Sequence, residues 1–352
     1  MSEKMIKVGI CQGNTNGIAY ELIIKMFEDA RMYELCIPVV YGSSKALAYH
    51  RKMIGVPSPN VNSIGKAEDA IAGRFNIIHT ADGEGGVELG KWTAESANAA
   101  EKALKKALEE LQANRIDVLL TTPGTQNPCL FLPTGTESLN LLVNDSLRIA
   151  IATGDIPFAE IPAALTVRSL TQKIRILHAT LRRDFMITAP RIAVLSLNPQ
   201  AGIKEKPGKE ETEIILPAIK AVAAEDSICC VGPYSADDFF GSESYMRFDA
   251  VLAMYYDQGM AAFQTLSQGE GTLFSANLPY VITGPVQPVS FEKAGKNLVS
   301  PASLRNALYM AIDILRNRET DKEINKNPLK KLYFERGADN EKLDLTKEET
   351  PI

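Results

Sequence analysis

Short apolar runs alternate with helical patterns through most of this 352-residue chain, and this alternation restricts the fold more than any other feature. The first unit is representative: residues 7–11 read KVGIC, a Gly/Asn-rich turn follows, and residues 21–27 carry an amphipathic helical pattern. Strands that alternate with helices in this way predict a largely parallel sheet covered by helices. The expected fold class is therefore α/β.

One stretch, residues 248–259, reads FDAVLAMYYDQG and places a polar cluster directly after a short apolar run. Such a run, bounded by turn signals, is typical of a strand that is buried on both faces of a sheet. Ligands of open α/β sheets bind beyond the carboxyl ends of the strands, which makes Tyr256, Asp257 and Gln258 candidate site residues. An ordinary polar turn after a core strand explains the same residues equally well.

Composition and net charge argue against several kinds of partner and predict where the protein is located. A net charge of −5 argues against a nucleic acid or an anionic membrane as partner. No run approaches the ~18 apolar residues of a membrane span. The five cysteines are scattered without a C-x-x-C pair, which is typical of reduced thiols and predicts a cytoplasmic protein. The three histidines are His50, His79 and His178.

Several motifs occur in one order along the chain, and they identify a family. They are N-x-N-G-I near the N-terminus, then L-N-P-x-A-G, D-A-V-L-A-M-Y-x-D-Q-G and A-G-K-N. From Lys7 to Arg318 the chain resembles the 4-hydroxythreonine-4-phosphate dehydrogenase family of pyridoxal phosphate biosynthesis. The resemblance implies NAD-dependent oxidation of a phosphorylated hydroxy amino acid with the help of a divalent metal.

The resemblance also implies a two-domain α/β/α fold similar to isocitrate and isopropylmalate dehydrogenases, with a central cleft. Residues 1–125 and 285–317 would form the cofactor-side domain, and residues 126–284 would form the domain that carries the dimer contacts and the metal site. Residues 318–352 are charge-dense and are expected to form a C-terminal extension. A homodimer is implied, with active sites that use residues of both subunits.

The metal-binding histidines of the family are all replaced in this chain, by Asp155, Gln200 and Tyr256. Family cations that contact the substrate are replaced by Gln126, Gln264 and Ile282. Other family positions keep their residues. Of these, Asp249 and Asp257 are candidate catalytic residues, Thr136 and Glu137 candidate substrate-binding residues, and Gly295, Lys296 and Asn297 candidate cofactor-binding residues. Turn geometry or, for Glu137, a helix cap would explain them as well.

Three hypotheses follow. In the first, the metal and phosphate ligands are lost, and the chain is an inactive or altered homologue that binds a small molecule and pairs with itself or with an active paralogue. In the second, Asp155, Gln200, Asp249 and Asp257 form an oxygen-ligand site for Mg²⁺ or Mn²⁺, and the substrate is a different hydroxy acid. In the third, the chain is an ordinary 4-hydroxythreonine-4-phosphate dehydrogenase.

Overall fold

The structure, a computed structural model, describes residues 5–57, 60–80, 86–133, 137–200 and 208–326. Thr136, one of the candidate substrate-binding residues, and the extension beyond residue 326 lie outside this part of the chain. None of the helices in the described ranges is both long and apolar enough to cross a membrane.

Strands and helices alternate as expected through the first part of the chain. The strands are β1 (Ile6–Cys11), β2 (Cys36–Gly42), β3 (Val61–Ile64), β4 (Phe75–His79) and β5 (Val118–Leu120). The helices between them are α1 (Ala19–Met26), α2 (Met32–Leu35), α3 (Ser44–Ile54) and α4 (Ala94–Gln112).

The second part of the chain contains the strands and helices that position the candidate site. The strands are β6 (Leu139–Val143), β7 (Arg148–Ile151), β8 (Arg191–Leu195), β9 (Cys229–Tyr234), β10 (Ala250–Ala253), β11 (Thr272–Ala276) and β12 (Val281–Pro285). The helices are α5 (Ile161–Ala164), α6 (Val167–Arg183), α7 (Leu216–Asp226), α8 (Ala236–Gly241), α9 (Tyr256–Ser267) and α10 (Ala302–Ile324).

Within the described residues, all twelve strands form one sheet in the order β3-β4-β2-β1-β5-β12-β11-β6-β7-β10-β8-β9. Neighbours are parallel except at β12–β11, β11–β6 and β6–β7. These three antiparallel pairings in succession reverse the strand direction, so β7, β8 and β10 run opposite to β1, β5 and β12. The expected α/β class with a largely parallel sheet is confirmed. The domain boundaries proposed from the sequence stay a prediction.

Burial explains why the strands carry almost uninterrupted apolar runs. The side chains of Val118, Leu119 and Leu120 in β5 are fully buried, and all four residues of β10 are buried. A strand covered by helices on both faces has no solvent side, and it therefore lacks the alternation of half-buried strands. The sheet core fixes the strand ends, and the strand ends carry the candidate site.

Candidate active site

The loops beyond the carboxyl ends of β7, β8 and β10 meet at one edge of the sheet, which we call the Tyr256 edge. The three strands are parallel neighbours, with Val251 opposite both Ile149 and Ala193. Asp155 lies in the loop after β7 and Gln200 in the loop after β8, while Tyr256 and Asp257 begin the helix that follows β10. Asp257 and Gln258 belong to the first turn of α9 and not to an isolated polar turn.

Gln258 joins two of these loops through its side-chain amide. Its Oε1 accepts a hydrogen bond from the backbone nitrogen of Met254 at 2.8 Å, and its Nε2 donates to the carbonyl oxygen of Ser196 at 2.7 Å. Thr153 Oγ1 donates to Met254 O at 2.9 Å and ties the loop after β7 to the same point. Both ends of the Gln258 amide are thereby used within the protein, which makes Gln258 a positioning residue for this edge.

The loop after β8 is held by a carboxylate. Glu211 Oε1 accepts hydrogen bonds from the backbone nitrogens of Leu197 and Asn198, each at 2.8 Å. Asn198 Nδ2 donates to Glu210 and Glu211 at 2.9 Å. Asn198 therefore has a structural role in shaping the loop that presents Gln200.

Tyr256 is the most informative of the three positions where the family resemblance implies a histidine. Its side chain is 39% exposed, and Tyr255 next to it packs edge-on against Phe158 with 5.8 Å between the ring centroids. Partial burial, followed by the negative charges of Asp155 and Asp257, raises the pKa of the Tyr256 phenol. The structure thus brings Asp155, Tyr256 and Asp257 close enough to interact electrostatically, and the phenol keeps its proton at neutral pH.

Asp249 is not part of this edge. It precedes β10, and its Oδ2 accepts a hydrogen bond from the backbone nitrogen of Arg191 at 2.7 Å. The four-residue strand β10 separates it from Asp257. The structure therefore separates Asp249 from the other carboxylates with which the sequence-based hypotheses grouped it, because a strand that crosses the sheet delivers its two ends to opposite edges.

Glu137 and a lysine that sequence reasoning missed lie at the Tyr256 edge. Glu137 precedes β6, whose antiparallel pairing with β7 brings its first residues beside the end of β7. Lys173 of α6 donates from Nζ to Ser138 O at 2.8 Å. Burial lowers the pKa of Lys173, and the Glu137 carboxylate opposes part of this shift. Lys173 is 35 residues from Ser138, and no sequence signal connects the two.

The candidate cofactor loop, Gly295-Lys296-Asn297, follows β12 and lies at the opposite edge of the sheet, which we call the Gly295 edge. Two residues of α1 hold it. Glu21 accepts a hydrogen bond from Gly295 N, and Lys25 Nζ donates to Asn297 O at 3.3 Å and to Val299 O at 2.7 Å. Gly295 has a φ of +76°, in the left-handed region that favours glycine, and a Cβ there would also lie 2.6 Å from Leu89 Cδ1. Lys296 is exposed.

Comparisons with known proteins agree with this architecture. Residues 34–311 match the family described as "Pyridoxal phosphate biosynthetic protein PdxA". A 4-hydroxythreonine-4-phosphate dehydrogenase from Bacteroides thetaiotaomicron is 42% identical over 98% of each chain. One from a Sulfurihydrogenibium species is 30% identical over 90% of this chain and all of that protein.

A solved structure of 4-hydroxythreonine-4-phosphate dehydrogenase from Klebsiella pneumoniae has the same fold. It superimposes with a TM-score of 0.70 at 23% identity and covers 89% of this chain and 98% of its own. Because the family match spans most of the chain and the Bacteroides protein matches it over 98% of its length, this chain belongs to the pyridoxal phosphate biosynthetic protein PdxA family.

Proposed function

We propose that this chain catalyses the reaction for which its relatives are named, the NAD-dependent oxidation of 4-hydroxythreonine-4-phosphate. The observation that carries the proposal is the 42% identity to the Bacteroides protein over 98% of both chains. A match of this extent includes both candidate sites, the Tyr256 edge and the Gly295 loop, together with the sheet between them. Function still depends on the individual site residues and not on the fold.

The Gly295 loop is the proposed site for NAD, which supplies the hydride acceptor when it is bound. The hydrogen bonds from Lys25 to two carbonyl oxygens of the loop hold its backbone, while the Lys296 ammonium group stays exposed. A fixed loop with a free cation fits the pyrophosphate of a dinucleotide, because charged hydrogen bonds to phosphate oxygens are strong. This arrangement supports the assignment of Gly295, Lys296 and Asn297 to the cofactor.

At the Tyr256 edge we assign the substrate to Asp257, Glu137 and Lys173. Asp257 lies in the first turn of α9, beside Tyr256, where its carboxylate could accept the proton that the substrate hydroxyl releases. Lys173 is the described cation that lies near Glu137, and its ammonium group fits a negatively charged substrate. Asp249 receives no role in this assignment, because it lies at the other edge.

The donor set at Asp155, Gln200 and Tyr256 does not fit a zinc-type ion. Zinc prefers imidazole or thiolate ligands, and a phenol that keeps its proton is a poor ligand. Among the residues that the structure describes, no group of three His, Cys, Asp or Glu side chains converges to hold a metal. The carboxylates of Asp155 and Asp257 would suit Mg²⁺ or Mn²⁺ better.

The strand directions support a homodimer. The Tyr256 edge and the Gly295 loop lie at opposite edges of one sheet, since β12 and β7 are separated by three antiparallel pairings. One chain would therefore not present both sites to one substrate, whereas the edges of two copies could meet. Sedimentation of the purified protein should give a dimer; a monomer that turns over substrate would contradict this arrangement.

Turnover is the direct test. Purified protein would be mixed with NAD and 4-hydroxythreonine-4-phosphate, in separate reactions with Mg²⁺, Mn²⁺, Co²⁺ or Zn²⁺, and NADH formation would be followed by absorbance. We expect activity that falls in Asp257→Asn and Lys173→Met. Lys220→Met, which removes an exposed lysine of α7, serves as the matched control. No NADH under any metal condition would overturn the proposal.

A second candidate function is that of an altered homologue which binds a related ligand but does not oxidise this substrate. The observation that favours it is the donor set just described, with a protonated Tyr256 phenol whose pKa is raised by burial and by the charges of Asp155 and Asp257. Such a protein could dimerise with itself or with an active paralogue. It would show thermal stabilisation by NAD or by phosphorylated hydroxy amino acids without turnover, since any ligand of the folded state raises its stability.

A further inference from the structure

A cavity of about 730 Å³ lies at the Gly295 edge of the sheet, and none of the residues assigned above lines it. It is bounded by the turn between β6 and β7, the last turn of α9, and α10. Its floor contains the register partners Val143, Arg148 and Thr272, which end β6 and begin β7 and β11. Small-molecule sites commonly enclose about 300–1,000 Å³, so this cavity has the size of a ligand site.

Arg148 lies on the cavity floor, and its guanidinium group forms no direct ion pair with a carboxylate of the described residues. Its Nη1 donates to Asp249 O at a long 3.3 Å, and its guanidinium carbon lies 4.9 Å from the centroid of the Phe185 ring. Its Nε is buried and has no hydrogen-bond partner within the described part of the chain. The Asp249 carboxylate, the nearest candidate, accepts instead from Arg191 N. The guanidinium therefore has donors available for an anion.

Two buried hydroxyl groups line the same cavity without a hydrogen-bond partner in the described chain. They belong to Ser267, 8% exposed, and Thr272, 1% exposed. Buried polar groups are hydrogen-bonded in the great majority of cases, so unsatisfied hydroxyls around one cavity indicate a missing partner. Together with Arg148 they provide the donors that a carboxylate group requires.

The rim of the cavity carries the opposite charge. Asp145, Glu270 and Asp313 are exposed and form no hydrogen bond or ion pair through their side chains with the rest of the described residues. Arg148 is half-buried on the floor, where its guanidinium contacts Asp249 O and the Phe185 ring, whereas the three carboxylates lie on exposed residues. Three rim carboxylates repel a dianion and attract a cationic group. The complementary ligand carries both charges, some distance apart.

We propose that this cavity binds a small zwitterion, whose carboxylate contacts Arg148 and the hydroxyls of Ser267 and Thr272 and whose ammonium group faces the rim carboxylates. The ligand class is that of an amino acid with separated charges. The site lies outside the residues assigned to NAD and to the oxidised substrate, so it would admit a regulator and not a reactant.

The test uses the full-length protein and a graded series of ω-amino acids from glycine to 6-aminohexanoate, measured by isothermal titration calorimetry. Glutarate and 1,5-diaminopentane serve as probes that carry charges of one sign. We expect binding by the longer zwitterions, weak or no binding by the two single-sign probes, and about a tenfold or greater loss of affinity in Arg148→Met, because a charged hydrogen-bonded pair is lost.

Arg168→Met is the matched control, because Arg168 is an exposed residue of α6 that does not line the cavity. If Arg148→Met does not fold, Asp313→Asn on the surface of α10 replaces it as the test variant. Asp313→Asn should weaken the binding of the zwitterions, while the binding of glutarate should stay weak. Absence of binding by every ω-amino acid would overturn the proposal. Equal binding by glutarate, or unchanged affinity in Arg148→Met, would do the same.

Discussion

The carboxyl group of Glu21 is fully buried beneath the candidate cofactor loop. One oxygen accepts from Gly295 N, while the other, Oε2, has no hydrogen-bond partner within the described residues. Burial raises the pKa of Glu21, and the hydrogen bonds from the backbone of Gly295 and Asn297 offset only part of this shift. Ionisation of this carboxyl therefore opposes folding, although its hydrogen bonds hold the loop.

The free energy of unfolding should therefore depend on pH through the ionisation of Glu21. In the unfolded chain the Glu21 carboxyl ionises at pH ~4.3. Because the folded-state pKa of Glu21 is raised, this carboxyl stays protonated in the folded protein at higher pH than in the unfolded chain. The contribution of Glu21 to the free energy of unfolding should therefore fall as pH rises from the unfolded pKa to the folded pKa. Urea unfolding of wild type and Glu21→Gln across this range should show a shallower fall in the variant.

Glu28→Gln, which changes an exposed acid shortly after α1, is the control for the Glu21 measurement and should follow wild type. Identical slopes in wild type and Glu21→Gln would mean that Glu21 titrates as in the unfolded chain.

The three positions at the Tyr256 edge where the family resemblance implies histidine can be tested by replacement. We expect the triple variant Asp155→His, Gln200→His, Tyr256→His to bind Co²⁺ and to show the visible absorption bands of a cobalt–imidazole complex, because neutral imidazole is a good ligand for such ions. Ligand binding at a hundredfold excess over Kd should add about 2.7 kcal/mol of stability. The double variant that keeps Gln200 should bind more weakly.

If the triple variant showed neither cobalt bands nor a cobalt-dependent rise in Tm, the three positions would not converge on one ion. The strand-end geometry assigned to Asp155 and Tyr256 would then need revision.

At the residue scale, the sequence could predict which residues follow strands but not which strand ends meet. Tyr256 and Asp257 were predicted as strand-end residues because a short apolar run precedes them. Asp249 lies eight residues before Asp257 and shares the same stretch, yet the strand between them carries it to the other edge. Lys173 could not be predicted at all, because its contact with Ser138 exists only after α6 packs on the sheet.

At the element scale, the end of α6 and the body of α10 are joined by a buried cluster of charges. Asp184, fully buried, accepts from Arg318 Nε at 2.8 Å and from Arg183 Nε at 2.7 Å. Burial disfavours the charged form of Asp184, but hydrogen bonds from both arginines outweigh it and lower its pKa. The contact between Arg318 and Asp184 therefore ties α10 to the end of α6.

Breaking this cluster should be strongly destabilising. Arg318→Met would leave the Asp184 carboxylate with one arginine fewer, and we expect a loss of about 3–5 kcal/mol in the free energy of unfolding, as for other buried ion pairs that lose one partner. Urea denaturation at neutral pH gives the measurement. Glu319→Gln, at the next position of α10 and exposed, should change stability very little.

Ionisation of Asp184 in this cluster should change the free energy of unfolding in the opposite direction to ionisation of Glu21. Since the folded pKa of Asp184 is lowered, its stabilisation is present above the unfolded value of ~3.9 and is lost as pH falls toward the folded pKa. Asp184→Asn should remove that part of the acid sensitivity. An acid unfolding curve for Asp184→Asn with the wild-type slope would contradict the assigned role of the pair.

One local pattern predicted the wrong element, and tertiary structure explains why. The Thr-x-x-Glu pattern that ends at Glu137 suggested a helix cap, but the residues after it form β6, which pairs on both sides in the sheet. Residues 209–226 are helical throughout, and Pro217 lies inside this helical stretch, in α7. A π-helical turn at residues 211–215 directly precedes α7, and such an irregularity is typical next to a proline, which lacks the N–H of a regular helix.

At the scale of the whole molecule, the α/β class followed from the alternation of strands and helices, whereas the continuous sheet did not. The domain boundary predicted at residue 285 falls at the end of β12 and stays a prediction. Strands β5 and β12 are parallel neighbours, with Val118 opposite Val281, and Thr121 N donates to Thr283 O at 2.8 Å. Pairings between strands so distant in sequence leave no local signal.

The continuous sheet predicts that the two parts of the chain unfold together. The pairings of β12 with β5 and with β11 join the parts through backbone hydrogen bonds, and the side chains of Val281 and Phe274 belong to one buried cluster with Val118. Exposure of that cluster in one part would remove packing from the other. We therefore expect amides of β2 and of β8 to exchange with deuterium through the same global opening.

Mass-spectrometric hydrogen exchange at increasing urea concentration measures this directly. The free energies of opening for β2 and β8, and their dependence on urea, should converge to the same values. As a control, amides of β3, whose residues are exposed or half-buried at the end of the sheet, should exchange at lower free energy. If β2 and β8 kept different free energies at every urea concentration, the two parts would be separate cooperative units, and the boundary near residue 285 would gain support over the single sheet.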